Sequence, residues 1–358
     1  MQEQRIERVM AALEQMGLRQ LLVSDPHTIA YLTGDYIAPG ERFLGLLLRQ
    51  GQEPRLFLNR LFFAPHMPES GIVPYDDSQR GAVLAADWTD RGAALGVDKK
   101  LAAEFLLELQ ACGAASAYRN GSPAVDRVRA CKDAEEIIRM GEASRLNDLA
   151  MEKLKARVRP GVTERELAGE LLEIYKSLGT DGPSFGADVS FGANAADPHH
   201  TPDGTALQEG DCVLFDIGCK KDGYCSDMTR TYFYGRVSEE DRRVYEVVRR
   251  ANQAGEAAIR PGVRFCDIDA AARRVIEEAG YGPYFTHRLG HSIGREVHEW
   301  GDVSSVNTEV VEPGMVFSCE PGIYLPGRMG VRIEDLCLVT EDGVRVLNAC
   351  PKGLEVLA

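Results

Sequence analysis

The sequence predicts an α/β N-terminal domain followed by an α+β domain that is built from two copies of one unit. Three observations support this. The 358 residues exceed the roughly 250 to 300 that one hydrophobic core usually supports. The first third alternates strand-like and helical stretches, as α/β layers do. Matched motifs recur in the remainder, which indicates an internal duplication about a pseudo-twofold axis.

The N-terminal domain is assigned to residues 1–122. Strands are expected at 20–24, 43–48, 55–58 and 95–98, and helices at 5–17, 78–91 and 101–112. This region contains no catalytic triad, phosphate loop or cluster of acids. The turn-forming residues from Asn120 to Pro123 mark its end, so the second domain is assigned to residues 123–358.

A long helix is predicted at the start of the second domain. Asp133 is followed three residues later by Glu136. In this spacing the two side chains can each accept a hydrogen bond from the other residue's backbone N–H, which satisfies two donors of the first turn. The helix is therefore expected to begin after Asp133 and to run towards Arg159.

The duplication is visible as repeated motifs. Residues 159–162 and 260–263 both read Arg-Pro-Gly-Val, and the spacing Gly-x5-acid-x-Gly occurs at 210–218 and again at 314–322. A helical stretch lies between the two motifs of each copy. Two copies are too few, and their period is too long, for a solenoid. The repeat therefore predicts two related halves, each containing helices and a strand hairpin.

The first hairpin brings two aspartates together. Apolar β runs flank a turn signal at residues 220–223. A two-residue loop at 221–222 sets Asp216 opposite Asp227, whereas a loop at 222–223 makes them diagonal neighbours on the same face. Either register brings the carboxylates within a few ångströms, because directly opposed Cβ atoms lie about 5 Å apart.

The second hairpin repeats this arrangement with two glutamates. Strand-like residues 315–320 and 330–340 flank residues 326–328. A three-residue loop at that point places Glu320 opposite Glu334. If the two copies face each other, four carboxylates meet near the pseudo-twofold axis.

Four carboxylates in one pocket repel each other, so they either take up protons or bind cations. Their combined charge of about −4 matches two divalent cations, and oxygen ligands with one imidazole suit manganese, cobalt, zinc or iron. We therefore expect two divalent metal ions per chain, with manganese favoured. The predicted ligands are Asp216, Asp227, His291, Glu320 and Glu334.

Composition excludes several other classes of protein. A net charge of −14 makes nucleic acid an unsuitable partner, since binding its phosphates requires basic patches. No apolar run approaches the roughly 20 residues that span a membrane, and the N-terminus is amphipathic, unlike a signal peptide. The nine scattered cysteines indicate reduced thiols and a cytoplasmic protein. Cys225 has the same strand parity as Asp227, although core packing is its favoured role.

Five motifs carry a resemblance to a known family. They are Phe-Asp-Ile-Gly at 215–218, Tyr-Cys-Ser-Asp-Met-Thr-Arg-Thr at 224–231, Gly-His-Ser-Ile-Gly-Arg-Glu-Val-His-Glu at 290–299, Glu-Pro-Gly-Ile-Tyr at 320–324 and Gly-Val-Arg-Ile-Glu-Asp at 330–335. In order and spacing they resemble the pita-bread metallohydrolases, which include methionine aminopeptidase, prolidase, aminopeptidase P and creatinase.

The resemblance implies a pita-bread fold for the second domain and a creatinase-like fold for the first. Methionine aminopeptidases usually lack such an N-terminal domain, whereas prolidase, aminopeptidase P and creatinase carry one. The chain is therefore most similar to the proline-specific branch, where a homodimer is the family expectation.

The resemblance also implies a role for each predicted ligand. Asp216 matches a chelating ligand of one metal. Asp227 and Glu334 match carboxylates that bridge the two metals. His291 and Glu320 match the ligands of the second metal.

Further residues match positions that handle the substrate. His199 and His298 match histidines that contact the substrate and stabilise the tetrahedral intermediate. A metal-bridging hydroxide is available near neutral pH, because metal binding lowers the pKa of water from 15.7 to about 7. Glu320 is the candidate that passes the proton to the leaving nitrogen. Substrate-binding or supporting positions are matched by His287, Tyr324 and Arg332.

The function predicted from these matches is metal-dependent hydrolysis of Xaa-Pro dipeptides, as in prolidase. The alternative is an aminopeptidase P that acts on longer peptides. A creatinase-like hydrolase without metal and a noncatalytic binding module, as in a histone chaperone subunit, fit less well, because all five ligands are present.

Two details are left open by the sequence. The product carboxylate of a dipeptide needs a cation, and Arg328 and Arg332 are the candidates near the second hairpin. Trp300 stands where many relatives have prolines, and it either packs on the core or lines the substrate pocket.

Overall fold

The computed structural model describes residues 1–358, which form two compact units, Met1–Arg129 and Ala130–Ala358. The helices of the first unit are α1 (Glu3–Gln15), α2 (Pro26–Thr33), α3 (Gly81–Ala86), α4 (Ala103–Ala111) and α5 (Ser122–Ala130). Its strands are β1 (Gln20–Val23), β2 (Gly45–Arg49), β3 (Arg55–Asn59), β4 (Ile72–Tyr75), β5 (Ala94–Val97) and β6 (Ala117–Asn120).

The first unit is an α/β layer, as predicted. Its mixed sheet has the order β4-β3-β2-β1-β5-β6. Successive residues of β1 point to opposite faces, so Leu21 packs with α1, α2 and α5 while Leu22 packs with α3 and α4. We assigned residue 123 to the second domain, but α5 spans that point. Its apolar residues Ala124, Val125 and Val128 belong to the core of the first unit.

The second unit contains four long helices, two larger sheets of four and five strands, and two small sheets of three and two strands. The helices are α6 (Ala134–Lys155), α7 (Glu164–Ser177), α8 (Glu239–Ala258) and α9 (Phe265–Glu278). The strands of the first half are β7 (Gly182–Pro183), β8 (Asp188–Phe191), β9 (Cys212–Ile217), β10 (Cys219–Lys221), β11 (Tyr224–Cys225) and β12 (Met228–Tyr234). Those of the second half are β13 (Gly290–Ser292), β14 (Glu299–Val303), β15 (Val316–Cys319), β16 (Gly322–Leu325), β17 (Met329–Arg332), β18 (Asp335–Val339) and β19 (Val344–Val346). The last strand, β20 (Val356–Leu357), returns to the first half and pairs with β12.

The predicted duplication is present in this unit. Helices α6 and α7 pack against the sheet β20-β12-β9-β8, while α8 and α9 pack against the sheet β14-β13-β15-β18-β19. Each half has its own apolar core. In both halves the strand whose end lies within one residue of the acid of the Gly-x5-acid-x-Gly motif is an inner strand of the sheet. None of the helices in the chain combines the length and the hydropathy that crossing a membrane requires.

Helix α6 begins as its sequence predicts. Asp133 and Glu136 form both hydrogen bonds of the capping box, each 3.0 Å long. The helix ends at Lys155, four residues before Arg159. A second capping box, between Thr163 and Glu166, starts α7.

The first hairpin adopts the second of the two predicted registers. Lys221 pairs with Tyr224, so the loop is Asp222-Gly223, with φ of 50° and 75°. Positive φ at both loop residues is typical of the type I′ turn, whose twist matches that of the strands. The same register pairs Asp216 with Thr229. Asp227 is therefore the diagonal neighbour of Asp216.

The second hairpin has the predicted three-residue loop. Leu325 pairs with Met329 and Gly322 with Arg332. Cys319 pairs with Asp335 in the neighbouring sheet. This pair has the same register as the pairs of the hairpin. Glu320 therefore lies opposite Glu334, as expected.

Candidate metal centre and substrate pocket

The five predicted ligands lie in one cavity. Asp216 is near the end of β9, Asp227 precedes β12, and His291 is the middle residue of β13. Glu320 and Glu334 follow β15 and β17. All five line a cavity of about 760 Å³. The two halves of the duplicated unit thus contribute to a single site.

The ligand atoms are close enough to share cations. Atoms of Asp227, His291 and Glu334 lie within 4.8 Å of one another. The Nε2 atom of His291 is 3.6 Å from Oδ2 of Asp227 and 3.5 Å from Oε1 of Glu320. These separations fit donors around a metal ion, which lies about 2.0 to 2.2 Å from each oxygen or nitrogen ligand.

Neighbouring side chains orient the carboxylates. The hydroxyl of Thr229 donates to Oε2 of Glu334 over 2.7 Å, and that of Ser318 donates to Oε1 of Glu320 over 3.0 Å. Arg332 donates to Oδ2 of Asp216 over 2.9 Å. Three of the four carboxylates therefore have one oxygen fixed by a hydrogen-bond donor.

The acids repel each other strongly. Burial, together with the charge of Glu334, holds the pKa of Asp227 well above its ordinary value. Burial and the charge of Glu320 do the same to the pKa of Glu334. Burial raises the pKa of Glu320 to about 7, although Arg332 opposes the shift. Without cations Asp227 and Glu334 therefore favour their protonated forms near neutral pH, while Glu320 is close to half protonated.

His291 is suited to binding a metal because it is neutral. Burial, with a smaller contribution from His298, lowers the pKa of His291 to about 3. Its Nδ1 lies 3.3 Å from the carbonyl oxygen of Ser292. A proton on Nδ1 leaves the lone pair of Nε2 directed towards the acids.

Two buried oxygen atoms support a metal centre directly. Oδ1 of Asp216 and Oδ1 of Asp227 are buried without a hydrogen-bond partner. A carboxylate oxygen in this state is costly unless a cation or a donor satisfies it. With three further donors beside them, these residues fit two divalent cations.

Three buried asparagines hold the backbone next to the ligands, and the sequence did not reveal them. Asn147 donates to the carbonyl of Ile217 over 2.8 Å. Asn252 donates to the carbonyl of Cys319 over 2.9 Å. Asn348 donates to the carbonyl of Asp227, over 3.2 Å. The carboxamides stiffen the strand ends without adding charge.

The two histidines that were expected to contact substrate both line the cavity. The backbone N–H of His199 donates to Asp197 over 3.0 Å. This bond does not involve the imidazole ring of His199, so the ring can contact a substrate in the cavity. The ring of His298 lies 4.2 Å from that of His291. Burial lowers the pKa of His298. A neutral imidazole at either position can donate one hydrogen bond to a substrate oxygen.

His287, Tyr324 and Arg332 form one hydrogen-bonded chain beside the acids. Arg332 donates to the hydroxyl of Tyr324 over 2.9 Å, and that hydroxyl lies 2.8 Å from Nε2 of His287. Burial lowers the pKa of His287 to about 3, so its neutral ring can accept a hydrogen bond at Nε2 from the tyrosine hydroxyl. These hydrogen bonds fix the guanidinium of Arg332, which contacts Asp216.

Arg328 and Trp300 lie outside the cavity. Arg328 pairs with Glu240 and Asp241 of α8 over 2.8 and 3.1 Å, so the expectation that it meets a product carboxylate is wrong. Trp300 is partly buried and packs against the apolar core. It therefore has the core-packing role, one of the two that the sequence allowed.

Two polar residues of the cavity were not recognised in the sequence. Arg288 lines the cavity and pairs with Asp302. Asp188 lies directly opposite Asp216 on β8, and burial raises its pKa to about 7. Both lie in segments without a distinctive spacing, although Arg288 precedes His291 by only three residues.

The three cysteines near the ligands in sequence are not part of the metal centre. Cys219, Cys225 and Cys319 are buried free thiols. Burial raises the pKa of Cys225 to about 12, and its sulfur lies 3.5 Å from the carbonyl of Arg295. Their predicted packing role fits this environment.

Each of the two units matches a known protein family. Residues 138–341 match the model of metallopeptidase family M24, and residues 5–131 match the creatinase/prolidase N-terminal domain. The chain is 38% identical to an Xaa-Pro dipeptidase of Lactobacillus helveticus over 94% of each chain.

Solved structures agree along the whole chain. A prolidase from Thermococcus sibiricus superposes with a TM-score of 0.94 at 32% identity, covering 99% of both chains. A dipeptidase from Pyrococcus horikoshii OT3 superposes with a TM-score of 0.93 at 32% identity, covering 99% of this chain and 100% of the other. The family resemblance and the expected pita-bread fold are confirmed. The chain therefore belongs to metallopeptidase family M24, whose enzymes use divalent metal ions, and it carries a creatinase/prolidase N-terminal domain.

Proposed function

We propose that this protein is an Xaa-Pro dipeptidase that cleaves the bond between an N-terminal residue and proline. The observation that carries the proposal is the single cavity in which four acids and one neutral histidine meet beside the imidazoles of His199 and His298. The names of the similar proteins, Xaa-Pro dipeptidase and prolidase, support the substrate class.

The family resemblance supplies the proposed assignment of the five ligands, which together form a metal cage. Asp216 would hold one cation, Asp227 and Glu334 would be shared, and His291 with Glu320 would hold the other. Two divalent cations, manganese favoured, would supply a water molecule of lowered pKa and polarise the scissile carbonyl. Cobalt, zinc and iron are chemically compatible with the same donors.

The remaining residues bind the substrate and move protons. His298 and His199 donate hydrogen bonds to the oxygen that gains negative charge when the carbonyl is attacked. Glu320 accepts a proton from the attacking water and delivers it to the nitrogen of proline. Arg332 balances the charge of Asp216, with Tyr324 and His287 holding it in place.

Preference for dipeptides is proposed from Arg288. Its guanidinium lines the cavity and is paired on one side only, with Asp302. The carboxylate of a dipeptide's proline can make a charge-assisted hydrogen bond with it. A longer peptide places an uncharged amide there instead, so an aminopeptidase P activity gains nothing from this residue.

Three further parts of the proposal rest on the resemblance and the composition. The family resemblance implies a homodimer. Nine free cysteines favour a reducing compartment and hence the cytoplasm. Nucleic acid and membranes are not among the proposed partners, because the net charge is −14.

A substrate panel tests the proposed activity. With manganese, cobalt or zinc supplied, we expect cleavage of Ala-Pro, little cleavage of Ala-Ala, and loss of activity with a chelator. Proline forms a tertiary amide without an N–H, so a pocket shaped for its ring gains apolar contact and needs no partner for that donor. Ala-Pro-Ala should be a poor substrate.

The variants Arg288→Ala and Arg328→Ala provide a matched comparison for the same panel. Arg288→Ala should raise KM for Ala-Pro by about 10-fold or more, the expected cost of a lost charged hydrogen bond. Arg328→Ala removes an exposed arginine outside the cavity and should leave KM unchanged. Efficient cleavage of Ala-Pro-Ala would favour aminopeptidase P, and no metal-dependent Xaa-Pro cleavage at all would refute the proposal.

Asp227→Ala tests the assignment of the shared ligands. The substitution deletes a donor to both cations, so we expect fewer than two metal ions per chain and no detectable activity. Metal content is measured by mass spectrometry after loading and desalting. Glu240→Ala, which changes an exposed acid of α8, should keep both ions. An inactive Asp227→Ala protein with two ions would contradict the assignment.

His298→Ala tests the role of the second histidine. We expect both metal ions to remain and kcat to fall at least about 100-fold, the typical loss when a donor to a developing oxyanion is removed. Steady-state kinetics on Ala-Pro measure it. If KM alone rises while kcat is unchanged, His298 binds the ground state instead.

A further inference from the structure

Glu164 is a fully buried acid outside the metal centre. It occupies the first turn of α7, but Thr163 and Glu166 already cap that helix. Its side chain does not line the cavity. A buried carboxylate is costly unless it is well hydrogen-bonded, so its partners indicate what it does.

Four donors converge on this carboxylate. The N–H of Phe191 and the amide of Asn194 donate to Oε1 over 2.8 and 3.0 Å. The N–H of Asp203 donates to Oε2 over 3.1 Å, and Nε2 of His200 lies 2.7 Å from the same oxygen. The donors begin at the end of β8 and extend to residue 203.

The segment between these donors forms one wall of the substrate cavity. Residues 198–202, His200 among them, all line it, although residues 197–203 belong to no helix or strand. The backbone of α7 adds a further bond, from Arg165 N–H to the carbonyl of Asp203 over 3.0 Å. The position of His199 therefore depends on its attachment to Glu164.

We infer that Glu164, acting through His200, is a positioning residue. It fixes the His199 loop, residues 197–203, relative to the metal ligands. The inference deepens the proposed function and rests on it. Hydrogen bonds to an ionised group are about twice as strong as neutral ones. A misplacement of about 1 Å in a reacting group can cost about 100-fold in rate.

The second half of the duplicated unit contains a similar arrangement. Asp269 of α9 is fully buried and pairs with Arg273 over 2.8 Å. It also accepts the N–H of Leu289 over 3.1 Å. Arg273 in turn donates to the carbonyls of Phe285 and His287 over 3.1 and 2.9 Å. In both halves a buried acid on the second helix holds a segment that carries cavity histidines.

The test compares His200→Ala and Glu164→Gln in the manganese-loaded protein, each made alone and in a His199→Ala background. His200→Ala leaves Glu164 three other donors, so it should fold even if Glu164→Gln does not. We expect each single variant to keep two metal ions and lose about 10-fold or more in kcat/KM for Ala-Pro. In the His199→Ala background either change should add less than about 2-fold, because the effect acts through His199.

Glu166→Ala is the matched control. It loosens the N-terminal cap of α7 without touching the loop, and it should keep wild-type kinetics. A His200→Ala protein with wild-type kinetics overturns the inference. So does a loss of the same size in the His199→Ala background, since that indicates a general structural defect.

Hydrogen exchange gives a readout that does not depend on activity. In His200→Ala, amides of residues 194–205 should exchange about 10-fold faster or more, while those of 285–289 stay protected. Unchanged exchange in 194–205 overturns the inference even if the chain cleaves no Xaa-Pro bond. Absence of that cleavage in the wild type refutes the proposed function separately.

Discussion

Repulsion among four buried or half-buried carboxylates is the constraint on which the second unit depends. Asp216, Asp227, Glu320 and Glu334 lie in one cavity, and the guanidinium of Arg332 pairs with Asp216 alone among them. Their backbone must therefore be held by groups that do not move when the charge of the site changes. Two strand hairpins with fixed loops provide this, because their registers determine which acids face each other.

The surroundings of the cage add rigidity mostly without adding charge to it. Buried asparagines bond to carbonyls beside the ligands. Behind them Arg230, almost fully buried, donates to the carbonyl of Glu334 over 2.7 Å and pairs with Asp335 over 2.7 Å. Lys352 forms ion pairs with both Asp335 and Glu256 and so extends this network. A buried ion pair is costly to break by removing one member, so this layer resists displacement of Glu334.

The sequence was informative where spacing alone determines geometry. The loop at 326–328 and the matched Gly-x5-acid-x-Gly motifs predicted the facing acids, and Asp133 with Glu136 predicted the start of α6. Strands β4 and β6, which form the two edges of the sheet and bury few of their side chains, were missed. Helices α2 and α5 were missed as well. Arg288, Asp188 and Glu164 were missed for a related reason. Their roles arise from partners that are distant in sequence, and no local pattern encodes them.

Counting the protons released when manganese binds would test the central claim most directly. The pKa of Glu320 is about 7, and those of Asp227 and Glu334 are held well above their ordinary values. The metal-free cage therefore retains protons that cations must displace. Titration calorimetry near pH 7, repeated in buffers of different ionisation enthalpy, should show two ions bound, a net release of protons, and tighter binding as pH rises. Two ions bound without proton release would contradict the account.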